Sequence, residues 1–178
     1  DGHFEVLKRE LGIPAFDETW VEHPRPEVPQ RAFTSISDGH DRLTVANRGL
    51  PEVEVLKSQD GTTAIALTLL RCVGWLSRDD FTNRKGHAGP YLETPGAQMQ
   101  GRWVFDYAIL FDQDALASRC QAYAFQTPLK TTITGIHPGS LQSTGSFITV
   151  STPEFCLSAV KKTEDDHGWL VRGYNQSS

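Results

Sequence analysis

The chain has 178 residues, a mass of 19.8 kDa, 38% hydrophobic residues and a formal charge of −5 at neutral pH. A chain of that length buries roughly 70% of the surface its unfolded form exposes, so one or two domains with a true core are expected. The acidic balance, with a pI near 5.6, argues against nucleic acid or an anionic membrane as partner, because both attract basic surfaces.

The longest apolar run, residues 64–70, contains a threonine and is too short to cross a bilayer as a helix, so a soluble protein is expected. Cys72, Cys120 and Cys156 are too scattered for a disulfide framework or a metal-type spacing. They read as buried thiols of a reducing, cytoplasmic compartment. The chain opens on Asp1 and its single methionine is Met99, which favours a piece of a longer polypeptide.

Residues 1–30 hold Pro14, Pro24, Pro26 and Pro29 and read as an extended lead-in that packs on the rest through Phe4, Val6, Phe16 and Trp20. A β domain over residues 31–178 is expected to follow. Residues 31–37, 42–47 and 52–57 are strand-like runs ended by Asp38-Gly39, Arg48-Gly49 and Asp60-Gly61, the spacing of antiparallel structure. Residues 62–72, with Ile65, Leu67 and Leu69 alternating against Ala64, Ala66 and Leu70, predict a strand covered on both faces.

Residues 73–100 carry Gly74, Gly86, Gly89, Pro90, Pro95 and Gly96, too many breakers for a regular element. A loop that long is usually functional or touches another domain. In residues 101–111, Trp103, Phe105, Tyr107, Ile109 and Phe111 recur at two-residue spacing on one face of a predicted strand. A sugar-stacking platform is one reading; a stripe that includes isoleucine is expected to be core.

Residues 112–125 place Leu116, Cys120, Tyr123 and Ala124 at helical spacing, with Asp112 or Asp114 as N-cap and Pro128 beyond the end. Residues 129–137 and 146–151 are expected to return to strand. Residues 157–175 read as a hairpin: strand 157–162, a polar turn TEDDHG, and strand 169–175. The architecture expected from these patterns is mainly β, two packed antiparallel sheets with one short helix.

Four segments carry a family resemblance: GLPEVEV at 49–55, LTLLRCVGWLSRDD at 67–80, GHAGPYLETPGAQ at 86–98 and LSAVKKTEDDHGWLVRGYN at 157–175. In order and spacing they resemble the C-terminal β-domain of glycoside hydrolase family 38, the zinc-dependent α-mannosidases, in its bacterial form. The resemblance implies a β-sandwich of the supersandwich, galactose-mutarotase-like type. It also implies an upstream catalytic domain in the same polypeptide as partner, and a whole enzyme that hydrolyses terminal α-mannosides with retention.

In that family an aspartate nucleophile, a second carboxylic acid and a zinc ion on two histidines and two aspartates do the chemistry. The family's first zinc pair is His-x-Asp, and no histidine of this sequence, from His3 to His167, has aspartate two positions on. Nucleophile-elbow and phosphate-loop patterns are also missing. Catalytic residues and zinc are therefore expected in the upstream domain, none in this chain, and the chain alone is expected to be inactive.

One cluster is a candidate for substrate proximity. Arg78, Asp79, Asp80, Arg84 and His87 form the densest ionisable group of the chain, inside the 73–100 loop. The resemblance implies that an Asp-Asp, then Asn-Arg-x-Gly, loop reaches the mouth of the catalytic pocket, here with Phe81 and Thr82 between the pairs. The alternative is a solvated loop whose arginines and aspartates pair with one another. Arg172 reads as a surface strand residue or a carboxylate-holding arginine, and Gln98 as a turn cap.

The acidic tip Glu164-Asp165-Asp166-His167 lacks alternate-position calcium ligands and reads as a solvated turn, with Lys161 and Lys162 as its exposed partners. Two rival functions stand beside the mannosidase reading. A carbohydrate-binding module needs Trp75, Tyr91 or Trp103 in an exposed coplanar patch. A sugar mutarotase-like enzyme needs an acid and a base converging in a cleft, for which His87 and Glu93 are the loop-placed candidates.

Overall fold

Each hydrophobic run that finds a neighbouring strand forms a ladder in the computed structural model, which describes residues 1–2 and 4–176. Among the described residues the chain is mainly β, with small antiparallel sheets and one α-helix. It divides into two units. The first comprises Asp1–Gly2 and Leu7–Gln126, and the second the described residues among His3–Val6 and Thr127–Ser178.

In the first unit, β1 (Val28–Pro29), β4 (Glu52–Lys57) and β5 (Thr63–Leu67) form one sheet in the order β1-β4-β5. A second sheet runs in the order β2 (Phe33–Ser37), β3 (Arg42–Asn47), β6 (Tyr107–Asp112). The β2–β3 turn is set by Asp38, whose Oδ1 accepts the N–H of His40 at 2.9 Å and of Asp41 at 2.8 Å, and by Gly39 at φ 99°. β3 pairs β6 along its length, from Arg42 opposite Asp112 to Asn47 opposite Tyr107.

Helix α1 (Ala115–Gln126) packs on this sheet. The sequence left two candidate caps; it is Asp114 whose Oδ1 accepts the Leu116 N–H at 2.8 Å. At the other end Arg48 donates to the Phe125 carbonyl from Nε at 2.9 Å and from Nη2 at 2.5 Å. Its guanidinium also lies 4.3 Å from the Phe125 ring centroid. The buried contact is built from Ala32, Phe33, Ala46 and Ala122, flanked by Ala108, Leu110, Tyr123 and Phe125.

Small residues at that contact let helix and sheet approach closely, and this decides which face of β6 is covered. Ala108 and Leu110 point to the helix side, so Tyr107, Ile109 and Phe111 fall on the other face and are 55%, 56% and 81% exposed. The aromatic stripe expected to be core is thus exposed along the edge strand β6, while Val45 and Asn47, opposite Ile109 and Tyr107 on the same face of β3, are buried. Trp103 and Phe105 precede the strand, which begins at Tyr107.

Three further expectations are corrected. β5 stops at Leu67 and none of its residues is fully buried, so it is not the strand covered on both faces that was expected, and Leu69 and Leu70 are exposed. Residues 129–137 and 146–151 form no strand, with Leu129, Ile133, Ile136 and Phe147 almost fully exposed. A strand exists only where its backbone groups find a partner edge. Cys72 and Cys120 are exposed and Cys156 half-buried, all three as free thiols.

The second unit contains the expected hairpin, β7 (Phe155–Lys162) against β8 (Trp169–Asn175). A bulge falls between Leu157 and Ala159, where Ser158 Oγ donates to the Arg172 carbonyl at 3.1 Å and accepts from Arg172 Nε at 2.9 Å. Arg172 is thereby a strand-tethering residue. At the tip the Gly168 N–H donates to Thr163 Oγ1 at 2.9 Å, and Asp165 accepts from both Thr163 Oγ1 and the His167 N–H. These bonds, the hydroxyl's first, hold the Asp165 carboxyl below its ordinary range. Lys162 pairs with Asp166 at 3.7 Å.

Candidate functional site

The 73–100 loop has too many glycines and prolines to form a ladder of its own, so its backbone groups are satisfied by crossings. The Leu76 N–H donates to the Leu92 carbonyl at 2.8 Å, the Thr94 N–H to Gly74 at 2.9 Å, and the Val73 N–H to Ala97 at 3.2 Å. Trp75 stands opposite Glu93 in an isolated antiparallel bridge. The loop is therefore a folded-back ribbon, closed by a 3₁₀ turn at Pro95–Gln98. Gln98 lies in that turn, and Met99 follows it at φ 52°.

Ser77 ties the two arms. Its side chain is buried and its Oγ accepts the N–H of Ala88 at 3.0 Å and of Gly89 at 3.2 Å. This hydroxyl was not singled out from the sequence; a serine facing a glycine-rich return is the kind of signal that marks such a latch.

The five candidate residues all lie on this ribbon; four form local pairs, and Arg84 faces a distant carboxylate. Arg78 donates to Asp80 from Nε at 2.8 Å and also from its terminal nitrogen. The hydrogen bond and the charge beside it raise the guanidinium pKa and lower that of the carboxyl. His87 Nε2 lies 3.6 Å from Asp79 Oδ2. Arg84 is the least exposed of the set, at 18%, and its Nη1 lies 3.7 Å from Glu22 Oε2.

Glu22 comes from the proline-rich lead-in, and its distance in sequence explains why it was not anticipated. It bridges Arg84 in antiparallel register, the His23 N–H donates to the Asn83 carbonyl at 2.7 Å, and Asn83 Nδ2 donates to Glu22 Oε1 at 3.3 Å. Phe16 stacks on His23 with ring centroids 4.4 Å apart. The lead-in thereby holds one edge of the loop.

Aromatic rings complete the region. Trp75 and Tyr91 stack face to face at 4.3 Å and 21°, and His87 meets Tyr91 edge-on at 5.4 Å. The two rings cover each other rather than lying side by side, so they do not form a coplanar platform for a sugar. Trp103 Nε1 donates to the Met99 carbonyl at 2.8 Å. His87 has Asp79 as its nearby carboxylate, and Glu93 stands opposite Trp75.

Nearby in the chain, Glu27, Pro29, Glu52, Leu69, Arg71 and Met99 are among the residues lining an open cleft of about 420 Å³. Glu52 accepts from Thr68 Oγ1 at 2.7 Å and lies 3.4 Å from Arg71. Among the described residues, no three histidine, cysteine, aspartate or glutamate side chains are placed to hold a metal ion. No described helix is long and apolar enough to cross a membrane.

No family model matches the chain. A curated relative from Halalkalibacterium halodurans, carrying the provisional name mannosylglycerate hydrolase, is 29% identical over 178 residues, covering 98% of this chain and 18% of its own length. An alpha-mannosidase of Enterococcus faecalis V583 superposes with a TM-score of 0.73 at 35% identity, over 97% of this chain and 18% of its own. A protein of glycosyl hydrolase family 38 from Enterococcus faecalis superposes with a TM-score of 0.66 at 34% identity, over 84% of this chain and 17% of its own. This chain thus spans about 18% of the length of the relatives it matches.

Proposed function

We propose that this chain, which spans about 18% of the length of the relatives it matches, is the non-catalytic C-terminal β portion of a bacterial family 38 glycoside hydrolase. Its role is to pack on an upstream catalytic domain and help shape that domain's pocket. The observation that carries this reading is the agreement of 97% of the chain with an alpha-mannosidase, at TM-score 0.73 and 35% identity. The exposed stripe of Tyr107, Ile109 and Phe111 along edge strand β6 supports it, since adjacent large apolar side chains left in water mark a packing surface.

In that setting the small sheets are parts of a larger sandwich of the supersandwich, galactose-mutarotase-like type. The whole protein hydrolyses terminal α-mannosides with retention; the relative's name adds mannosylglycerate to the candidate substrates. Zinc and the nucleophile belong to the catalytic domain. The ribbon of Arg78, Asp79, Asp80, Arg84 and His87 is the substrate-proximal element. Three unpaired thiols suit a cytoplasmic setting.

Two assays test the reading. The chain alone is expected to release no nitrophenol from 4-nitrophenyl α-mannoside and to bind no stoichiometric zinc; turnover with zinc bound would overturn it. In the longer polypeptide, Arg84→Ala is expected to lower kcat/KM on that neutral substrate. An unchanged value removes the ribbon from the pocket.

A further inference from the structure

Arg84 is held unusually loosely for so enclosed a cation. Its side chain is only 18% exposed, yet its two nearest acceptors are distant: Glu22 Oε2 at 3.7 Å from Nη1 and the Gly86 carbonyl at 3.4 Å from Nη2. Its Nε is buried without an acceptor among the described residues. Buried donors are normally satisfied, and a charge-assisted bond to a carboxylate closes to roughly 2.7–2.9 Å. The guanidinium therefore has donor capacity that its present neighbours do not use.

The donor beside it is equally loose. Asn83 Nδ2 reaches Glu22 Oε1 at 3.3 Å, so the Glu22 carboxylate spans Asn83 and Arg84 with one oxygen toward each and a close bond to neither. The backbone beneath these donors is fixed, because the His23 N–H donates to the Asn83 carbonyl at 2.7 Å and residues 22 and 84 are bridge partners. The Glu22 side chain itself is 52% exposed. Two donors on a firm backbone thus face one carboxylate that is free to leave.

We propose that Asn83 and Arg84 form a receptor for the carboxylate of a small organic acid, with Glu22 as the internal placeholder that the incoming acid displaces. One ligand oxygen takes the amide N–H of Asn83 and the other the guanidinium of Arg84, a planar two-oxygen match that a neutral hydroxyl compound lacks. Displacement exchanges a long contact for short ones and releases Glu22 to water. This site does not depend on which domain the chain packs against, and its test uses this chain alone with no glycosidase assay.

The test is titration of the ¹⁵N-labelled chain with sodium D-glycerate, against glycerol at matched ionic strength, following the Arg84 side-chain Nε–Hε resonance. Glycerate is expected to shift that resonance saturably while glycerol leaves it in place. Glu22→Gln removes the competing charge and is expected to lower the half-saturation concentration about fivefold, the factor a weak exposed ion pair is worth. For the variants the Asn83 amide resonance is followed. Arg84→Lys keeps charge and stem but not the fork, and is expected to weaken binding severalfold with an unchanged unfolding midpoint; Arg84→Gln is expected to abolish it. Glycerol acting like glycerate, Glu22→Gln binding no tighter, or Arg84→Lys binding as well as wild type would each overturn the receptor.

Discussion

Gly173 illustrates how much a single position can decide. It lies in β8, and a Cβ added there would overlap the ring of Phe155, which lies across it. An aromatic ring laid over a strand glycine replaces the side chain that the glycine lacks. Gly173→Ala is expected to destabilise the hairpin by about 1–3 kcal/mol through overpacking. In a double-mutant cycle with Phe155→Ala, most of that loss should disappear when both changes are present; additive losses would show that the overlap is not the cause. Glu27 supplies a second residue-scale case. Hydrogen bonds from Arg25, at 2.9 Å from Nε and 2.6 Å from Nη2, bring its carboxyl pKa down to about 2. A carboxyl lowered on folding stabilises above its unfolded pKa, near 4.5, and that contribution fades as pH falls through the folded value. Glu27→Gln should therefore lower the urea midpoint at pH 7, and the gap to wild type should close toward pH 2. A gap that stays constant with pH would mean the pair contributes through packing alone.

At the scale of elements, the 73–100 ribbon depends on Ser77. Removing its hydroxyl leaves the Ala88 and Gly89 amides without an acceptor in a partly buried place, a local cost of about 1–3 kcal/mol. Ser77→Ala is thus expected to raise hydrogen exchange at those two amides at least about fivefold, while β2 and β3 exchange as before. Equal exchange in both proteins would show that the arms close without the latch. Elements whose signals are local were legible in the sequence. The 157–175 hairpin has its turn chemistry within six residues, and α1 has Asp114 at its start. Elements decided by distant partners were not. The spacing of Tyr107, Ile109 and Phe111 gave the shared face correctly, but only the alanines of β3 and α1 determine that the opposite face is covered. Residues 129–137 and 146–151 have strand composition and no neighbouring edge within the unit that contains them. The five ribbon residues were legible as a cluster, whereas the hold on Arg84 comes from Glu22, whose other partner Asn83 is 61 positions away.

For the molecule as a whole, the balance of covered and uncovered apolar surface is the governing fact. Among the described residues the buried core is small, with Ala32, Phe33, Val45, Ala46, Leu50, Val53 and Ala122 as its buried hydrophobic residues, while Phe111, Leu129, Ile133, Ile136 and Phe147 are each more than 80% exposed. Large contiguous apolar surface is rare on proteins that work alone and marks a packing or binding face. The exposed side of β6 offers the cleanest test, because Tyr107, Ile109 and Phe111 point away from the contact with α1 and can be changed without disturbing it. The double substitution Ile109→Thr with Phe111→Thr places β-branched residues at both positions of the strand and removes exposed apolar area from β6. Its unfolding free energy is expected to stay within about 0.5 kcal/mol of wild type, the range of surface changes. Binding of 8-anilinonaphthalene-1-sulfonate should fall at the same time, since the dye reports uncovered apolar surface. Truncating a covered isoleucine and phenylalanine instead would cost several kcal/mol and leave dye binding unchanged or higher. That outcome would mean that something in the 178-residue chain already covers β6, and the face would no longer be a candidate for packing against another domain.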